Sequence, residues 1–346
     1  MKHILIYILL AFIITSCVDE IPFENNKLFD KIAISGQFTN VSGQQIVSIS
    51  EIPNENTLSQ ANGDPIDNAK VKVVDDQGKE FAFTYAAKGD YLCDDMGVPG
   101  RSYKLVVELG DRIYESSSHK LIEAGPIDSL YAIPETESFL TSNGTVSSKK
   151  VASFVVNDHL VNNDGPTNVI YRTEVEFEFR EVSSRPSPPL KVCFLKAQND
   201  YGRIQIFDPM DYPDNRLVRN TVAQVDHDYR FQYFFSFLLR KYAVDEETLT
   251  YWAKIQKIIS GDQNLFDPPP GKFDVNIKCI SHENENPYGY FTVAGMSQKR
   301  IFTNSAQLGY NIVQFCGRFG RLPNECEDCL LLGASSSLIK PDYWIY

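Results

Sequence analysis

The densest set of reactive side chains lies in CGRFGRLPNECEDC, which carries Cys316, Cys326 and Cys329. A Cys-x-x-Cys pair with a third thiolate upstream can hold zinc, but no histidine stands nearby to complete the ligands. A redox pair needs a strand that presents the motif ahead of a helix, and the residues before Cys326 do not read as one. Structural disulfides suit the cluster better, with Cys316 joined to Cys326 or Cys329. Cys93, Cys193 and Cys279 complete an even six once Cys17 is set aside. Up to three bonds are then allowed, and their pairing stays open.

The other candidates are thinner. His119, His159, His227 and His282 are scattered, and each reads as a loop or surface residue. Asp226-His227-Asp228 is the tightest donor cluster, though polar residues alternating at a turn account for it more simply than a cation. Asp75, Asp76, Asp94 and Asp95 lack the spaced oxygen-ligand loop of a calcium site. In EVEFEF, Glu174, Glu176 and Glu178 share one strand face, which raises the paired carboxylates of a glycosidase. Side chains two apart on a strand cannot pinch a substrate, so a solvated face is expected. No glycine-rich phosphate loop, G-x-S-x-G elbow or His-Glu-x-x-His pair occurs. The expectation is no enzyme, no metal and no cofactor.

Cys17 stands in ITSCVDE, after one lysine, an apolar run from Ile4 to Ile14 and small polar residues. That is the layout of an export signal, and the run is short for a permanent span. Ile-Thr-Ser-Cys resembles the bacterial lipobox, whose cysteine becomes the lipidated first residue. Several acyl chains, at ~0.8 kcal/mol per buried CH₂, hold a domain on a membrane where one chain would not. Residues 1–16 are then the signal and 17–27 a polar tether. Loss of Lys2 leaves 32 basic against 45 acidic side chains, a net charge of −13 in place of −12. With no basic run, no nucleic-acid partner is expected. A content of 43% hydrophobic and 12% aromatic residues suffices for real cores.

Elements that could position these groups follow. KIAISGQFT, QQIVSISEI, AKVKVVDD, KEFAFTYA, SYKLVVEL and RIYESSSHK alternate with period two and are parted by turn signals such as DDQG and PG. They predict a β-sandwich over 28–125. Val71 and Val73 should face inward, and a hairpin should turn at Gly110-Asp111. A boundary is expected near Gly125 to Leu130, then a larger β-rich domain over 126–346. DYRFQYFFSFLLRKYAV could be strand or buried helix, and its aromatic alternation favours strand. DEETLTYWAKIQKIIS is the one clear helix, near 245–260, with Asp245 as its N-cap and an apolar stripe from Leu249 and Trp252 to Ile255 or Ile259. The prolines of Asp267-Pro268-Pro269-Pro270 hold an extended segment. Tyr343 and Trp344 close the chain. The proline run and these rings are candidate contact surfaces, unless they only close the second domain.

Across nearly the whole chain these landmarks resemble one Bacteroidota lipoprotein family, that of domain of unknown function 4249. ITSC, ISGQFTN, GDYLCDDMGVPGRSYKLVVELGDRIYES, ETLTYWAKI, LFDPPPGKFDVNIKC, YGYFTVAG and CEDCLLLGASSSLIKPDYW carry the resemblance. It implies a first domain of the immunoglobulin-like, carboxypeptidase-regulatory-like type. It also implies an outer-membrane lipoprotein, on the periplasmic face or cell surface, working beside a TonB-dependent receptor and binding a small ligand or partner without catalysis. The rival expectation is a structural or adhesive envelope lipoprotein with no small ligand. Val275 stands where the family tends to have glycine, and valine would be strained if positive φ were needed there. Asp128-Ser129-Leu130 resembles the O-glycosylation acceptor of the same bacteria.

Overall fold

In the computed structural model of this chain the described residues are 32–52, 63–182, 189–197, 204–259 and 275–345, without 284, 286, 312–313, 318–321 and 334. Cys17, the tether and the proline run at Asp267 to Pro270 lie outside them. The first strands are β1 (Ile32–Thr39), β2 (Gln45–Glu51), β3 (Lys70–Asp75), β4 (Glu80–Ala87), β5 (Asp90–Cys93), β6 (Ser102–Leu109), β7 (Arg112–Ser116) and β8 (His119–Lys120). Next come β9 (Ser129–Leu140), β10 (Val146–His159), β11 (Val161–Asn162), β12 (Gly165–Pro166), β13 (Asn168–Arg180), β14 (Val192–Lys196), β15 (Gln205–Phe207), β16 (Arg216–Asp226) and β17 (Phe235–Val244). After helix α1 (Glu246–Ile259) follow β18 (Ile277–Cys279), β19 (Phe291–Thr303) and β20 (Ser336–Ser337). The chain is mainly β, as its alternation predicts.

Local chemistry accounts for the first strands. Val71 and Val73 are buried in β3. Asp75 Oδ1 accepts from the Gln77 and Lys79 amides, 2.9 and 2.8 Å away, and closes the DDQG turn into β4. The hairpin from β6 to β7 pairs Leu109 with Arg112 across Gly110-Asp111. Phe38 of β1 meets Phe81 of β4 and Tyr103 of β6, with ring centroids 5.1 and 4.9 Å apart, at the centre of the first core.

Residues 28–125 do not close that core alone. Strand β18 pairs with β7, and β19 pairs in parallel with β1. Ile277, Phe291 and Val293 are buried among the first-lobe side chains. Gly289, at φ +109°, lets the approach to β19 cross β1, since a Cβ there would stand 2.1 Å from the Ile34 carbonyl oxygen. Val275 takes no positive φ, so valine is accommodated.

One sheet therefore runs through both lobes in the order β18-β7-β6-β3-β4-β5-β2-β1-β19-β17-β13-β14-β20, with β8 on β6 and β15 on β13. A three-stranded sheet, β16-β10-β9, lies against its second half. Phe154 of β10 stacks on Phe237 of β17 at 3.9 Å there. Residues 235–244 are strand, as expected of this segment, but Tyr229–Phe231, inside the aromatic alternation that favoured strand, form a 3-10 turn. Asp245 Oδ1 accepts from the Thr248 amide at 2.8 Å and caps α1. Leu249 is buried and Trp252 half-buried against the sheet, while Ile259 is 67% exposed, so the packed stripe stops short of the helix end.

Cys316 bonds to Cys326, one of the two partners the spacing allowed, and Cys193 bonds to Cys329. Among the described residues no third bond forms. Cys93 and Cys279 are buried thiols that pack in the first core as small apolar side chains. They end strands separated in the sheet by β7, β6, β3 and β4. Burial pushes the Cys93 thiol above its ordinary pKa, the direction that makes it inert.

Candidate functional site

The period-two run of β13 begins earlier than EVEFEF suggests. Arg172, Glu174, Glu176 and Glu178 alternate along it, while Val175, Phe177 and Phe179 point into the second core. Instead of a solvated face, Glu176 and Glu178 are each only 3% exposed. Basic side chains of neighbouring strands reach over the carboxylates. Arg240 Nη1 donates to Glu174 Oε2 at 2.6 Å, and Lys196 Nζ lies 3.1 Å from Glu174 Oε1. Arg300 Nη1 donates to Glu176 Oε2 at 2.8 Å and to Ser236 Oγ at 2.6 Å. Burial works against the charge of Glu174, but Arg240 and Lys196 outweigh it and hold the carboxyl below its usual range.

At the Arg172 end this face opens into a groove of about 530 Å³ lined by both lobes. Gln37 and Ile46 come from β1 and β2, Arg172 and Glu174 from β13, Lys196 from β14 and Arg240 from β17. Arg172 and Arg240 are register partners, directly opposite each other. The Arg172 guanidinium carbon lies 4.6 Å from the Trp252 ring centre and 5.4 Å from that of Tyr242. Such a groove has the size and the convergent polar groups of a small-molecule site. The arrangement of charges beside an open space suits holding a ligand.

A family model described as domain of unknown function (DUF4249) matches residues 18–300. The chain belongs to that family. No curated protein matches it. The DUF4249 span includes every groove residue, and the C-terminal segment that covers the far end of the carboxylate row lies beyond it.

That segment corrects one expected contact surface. Trp344 is 2% exposed, wedged edge-on against Phe194 and Phe302 with centroids 5.1 Å from each. Tyr343 is half-exposed, and its hydroxyl donates to Glu176. Arg300 stacks over its ring at 3.7 Å. The terminal aromatics therefore close the second lobe of the DUF4249 chain. Tyr343→Phe should lower stability by about 1 kcal/mol, because a partly exposed hydrogen bond to a carboxylate is lost. Equilibrium urea unfolding measures it, and an unchanged midpoint would show that the hydroxyl contributes nothing. A second groove of about 580 Å³ lies beside this segment, lined in part by Glu178, Arg180, Phe194 and Leu338. Its carboxylate is already answered, with Arg180 Nε 2.5 Å from Glu178 Oε1.

The four histidines among the described residues stay apart. Buried His119 joins the lobes: Nδ1 lies 2.5 Å from Asp245 Oδ2, and Nε2 lies 2.7 Å from Ser117 Oγ. The connectivity is that of a serine-hydrolase relay. However, the Asn276 amide nitrogen also sits 3.1 Å from Nε2, fixed there by its bonds to the Phe291 backbone. It crowds the nitrogen that would accept a nucleophile's proton, and none of the three relay residues lines either groove. The relay instead ties β8 to the cap of α1. Burial disfavours the imidazolium, but Asp245 outweighs it and raises the His119 pKa. Asp245 is lowered despite its own burial, by His119 and the Thr248 amide.

The pair's contribution is thus present below the ordinary histidine pKa and lost as pH rises through the raised folded value. On the acid side it is present above the ordinary aspartate range and lost as pH falls through the depressed value. His119→Gln should therefore be less stable than the parent chain near about pH 5.5, and the gap should narrow by about pH 8.5. Urea midpoints at both values decide it; a gap that widens with pH rules the pairing out.

The remaining candidates are occupied locally. Asp226 pairs with Lys149 at 2.8 Å, while Asp228 accepts from the Arg230 amide at 2.9 Å, so the two carboxylates beside His227 serve different partners. Arg101 answers both Asp75 and Asp76, at 2.7 and 2.6 Å. His159 pairs with Asp128 at 2.5 Å, and Ser129 Oγ accepts from Asn157 at 2.9 Å. The residue that sequence reasoning passed over is Arg172. Extending the alternation of EVEFEF back by one step would have found it.

Proposed function

We propose that this DUF4249 chain is a lipid-anchored accessory protein of the outer membrane that binds a nutrient or partner beside a TonB-dependent receptor, without chemistry. The observation that carries the binding reading is the groove at Arg172, where a charged wall from the second lobe faces Gln37, Gln44 and Ile46 of the first across a space of small-molecule size. The lipobox-like ITSC supports the anchor, since lipid on Cys17 would hold the groove at a membrane surface and raise its local concentration at a receptor mouth. The family resemblance supports the receptor as partner. Purification of the native protein from outer membranes in mild detergent tests this. A TonB-dependent receptor recovered in near-equal amount supports the reading. Its absence under conditions that preserve other receptor complexes overturns it in favour of a structural or adhesive envelope protein.

A further inference from the structure

We infer that the groove binds the carboxylate of a small organic acid, with Arg172 as its principal contact. The inference rests on reading the groove as the binding surface and adds the ligand's chemical class. Three cations, Arg172, Arg240 and Lys196, line it together with one carboxylate, Glu174. Glu174 is already engaged by Arg240 at 2.6 Å and Lys196 at 3.1 Å. Arg172 makes no hydrogen bond or ion pair with any described residue, and its Nε is buried without an acceptor. Nε of Arg240 is buried and unpaired as well.

The two arginines are also register partners, directly opposite on neighbouring strands. Like charges directly opposite on neighbouring strands repel. Burial first, and then Arg240, act against the charged form of Arg172, with Tyr242 opposing them. An anion in the groove relieves both the repulsion and the missing acceptor. The Trp252 and Tyr242 rings already hold the guanidinium in place, so little ordering is left for the ligand to impose.

The charge balance selects the class of anion. One guanidinium is left uncompensated, and its planar fork matches a carboxylate in two parallel hydrogen bonds. A phosphate dianion would meet the Glu174 carboxylate in the same space. Ile46, Ala197 and Tyr242 supply an apolar wall for the body of the acid.

Isothermal titration of the full chain, solubilised in mild detergent, with sodium benzoate and with sodium acetate tests the assignment. Saturable binding of benzoate at one site is expected, with acetate weaker because it leaves the apolar wall uncovered. Arg172→Gln should weaken benzoate by about tenfold or more, the range of a hydrogen bond to a charged group. Arg172→Lys, which keeps the charge but not the fork, should also weaken it and serves if the glutamine variant does not fold. Arg180→Gln, on the same strand outside the groove, should bind as the parent does. Undiminished binding in both Arg172 variants, or preference for inorganic phosphate over benzoate, overturns the inference. Receptor recovery is scored separately. A chain that retains its receptor but ignores benzoate refutes the carboxylate site alone, and one that binds benzoate without a receptor refutes only the accessory role.

Discussion

Lys241→Met is expected to lower the stability of the chain by about 3–5 kcal/mol, the cost of leaving one member of a buried ion pair without its partner. Lys241 is 1% exposed on β17 and Asp158 is fully buried on β10. Nζ lies 2.7 Å from Asp158 Oδ2 and donates to the His159 carbonyl at 2.9 Å. Tyr171 of β13 donates its hydroxyl to the same carboxylate. The cluster therefore joins the three-stranded sheet to the long one at a fully buried point. Without the ammonium, the Asp158 charge keeps the tyrosine and a 3.4 Å contact from the Asp128 amide. The double variant Asp158→Leu/Lys241→Met should recover much of the loss, because paired removal leaves no orphaned charge. Urea unfolding of both variants gives the comparison. A single variant as stable as the parent, or a double variant far worse than the single, would contradict the burial argument.

Removing the Cys193–Cys329 bond, as Cys193→Ala/Cys329→Ala, should cost about 2–5 kcal/mol. The bond spans 136 residues of sequence, whereas Cys316–Cys326 spans 10. Closing a longer loop removes more freedom from the unfolded chain, so the companion variant Cys316→Ala/Cys326→Ala should lose less. The long bond also holds the end of the chain in place. Cys329 follows the Glu181 contact, where its amide donates to Oε1 at 3.1 Å, and precedes β20, which pairs with β14. Loosening it should expose Trp344, seen as a red shift in tryptophan emission before global unfolding. If the short bond proves the costlier one to lose, or the emission does not move, the clamp assignment is wrong.

The elements were legible wherever period and turn chemistry agree. Val71 and Val73 alternate with lysines and end in DDQG, so β3, its turn and β4 follow from a dozen residues. Asp245 and the acidic first turn announce α1 in the same local way. Pairing over long distances was not legible. Nothing near Ile277 or Phe291 states that these residues complete a core begun at Ile32, because a parallel partner for β1 is chosen by packing. EVEFEF shows the same limit. Alternation put three glutamates on one face, but it could not reveal that Arg240, Arg300 and Tyr343 would cover that face.

By itself the sequence determined the class of the fold, the helix with its cap, and the family, since each rests on residue types at short spacing. Tertiary structure decided which cysteines bond, that Trp344 is an anchor and no contact surface, and that Arg172 stands opposite Arg240 with no acid among the described residues to answer it. Those outcomes depend on which distant segments become neighbours. Burial and electrostatic energy set that choice over the whole sheet, and no window of the chain contains it.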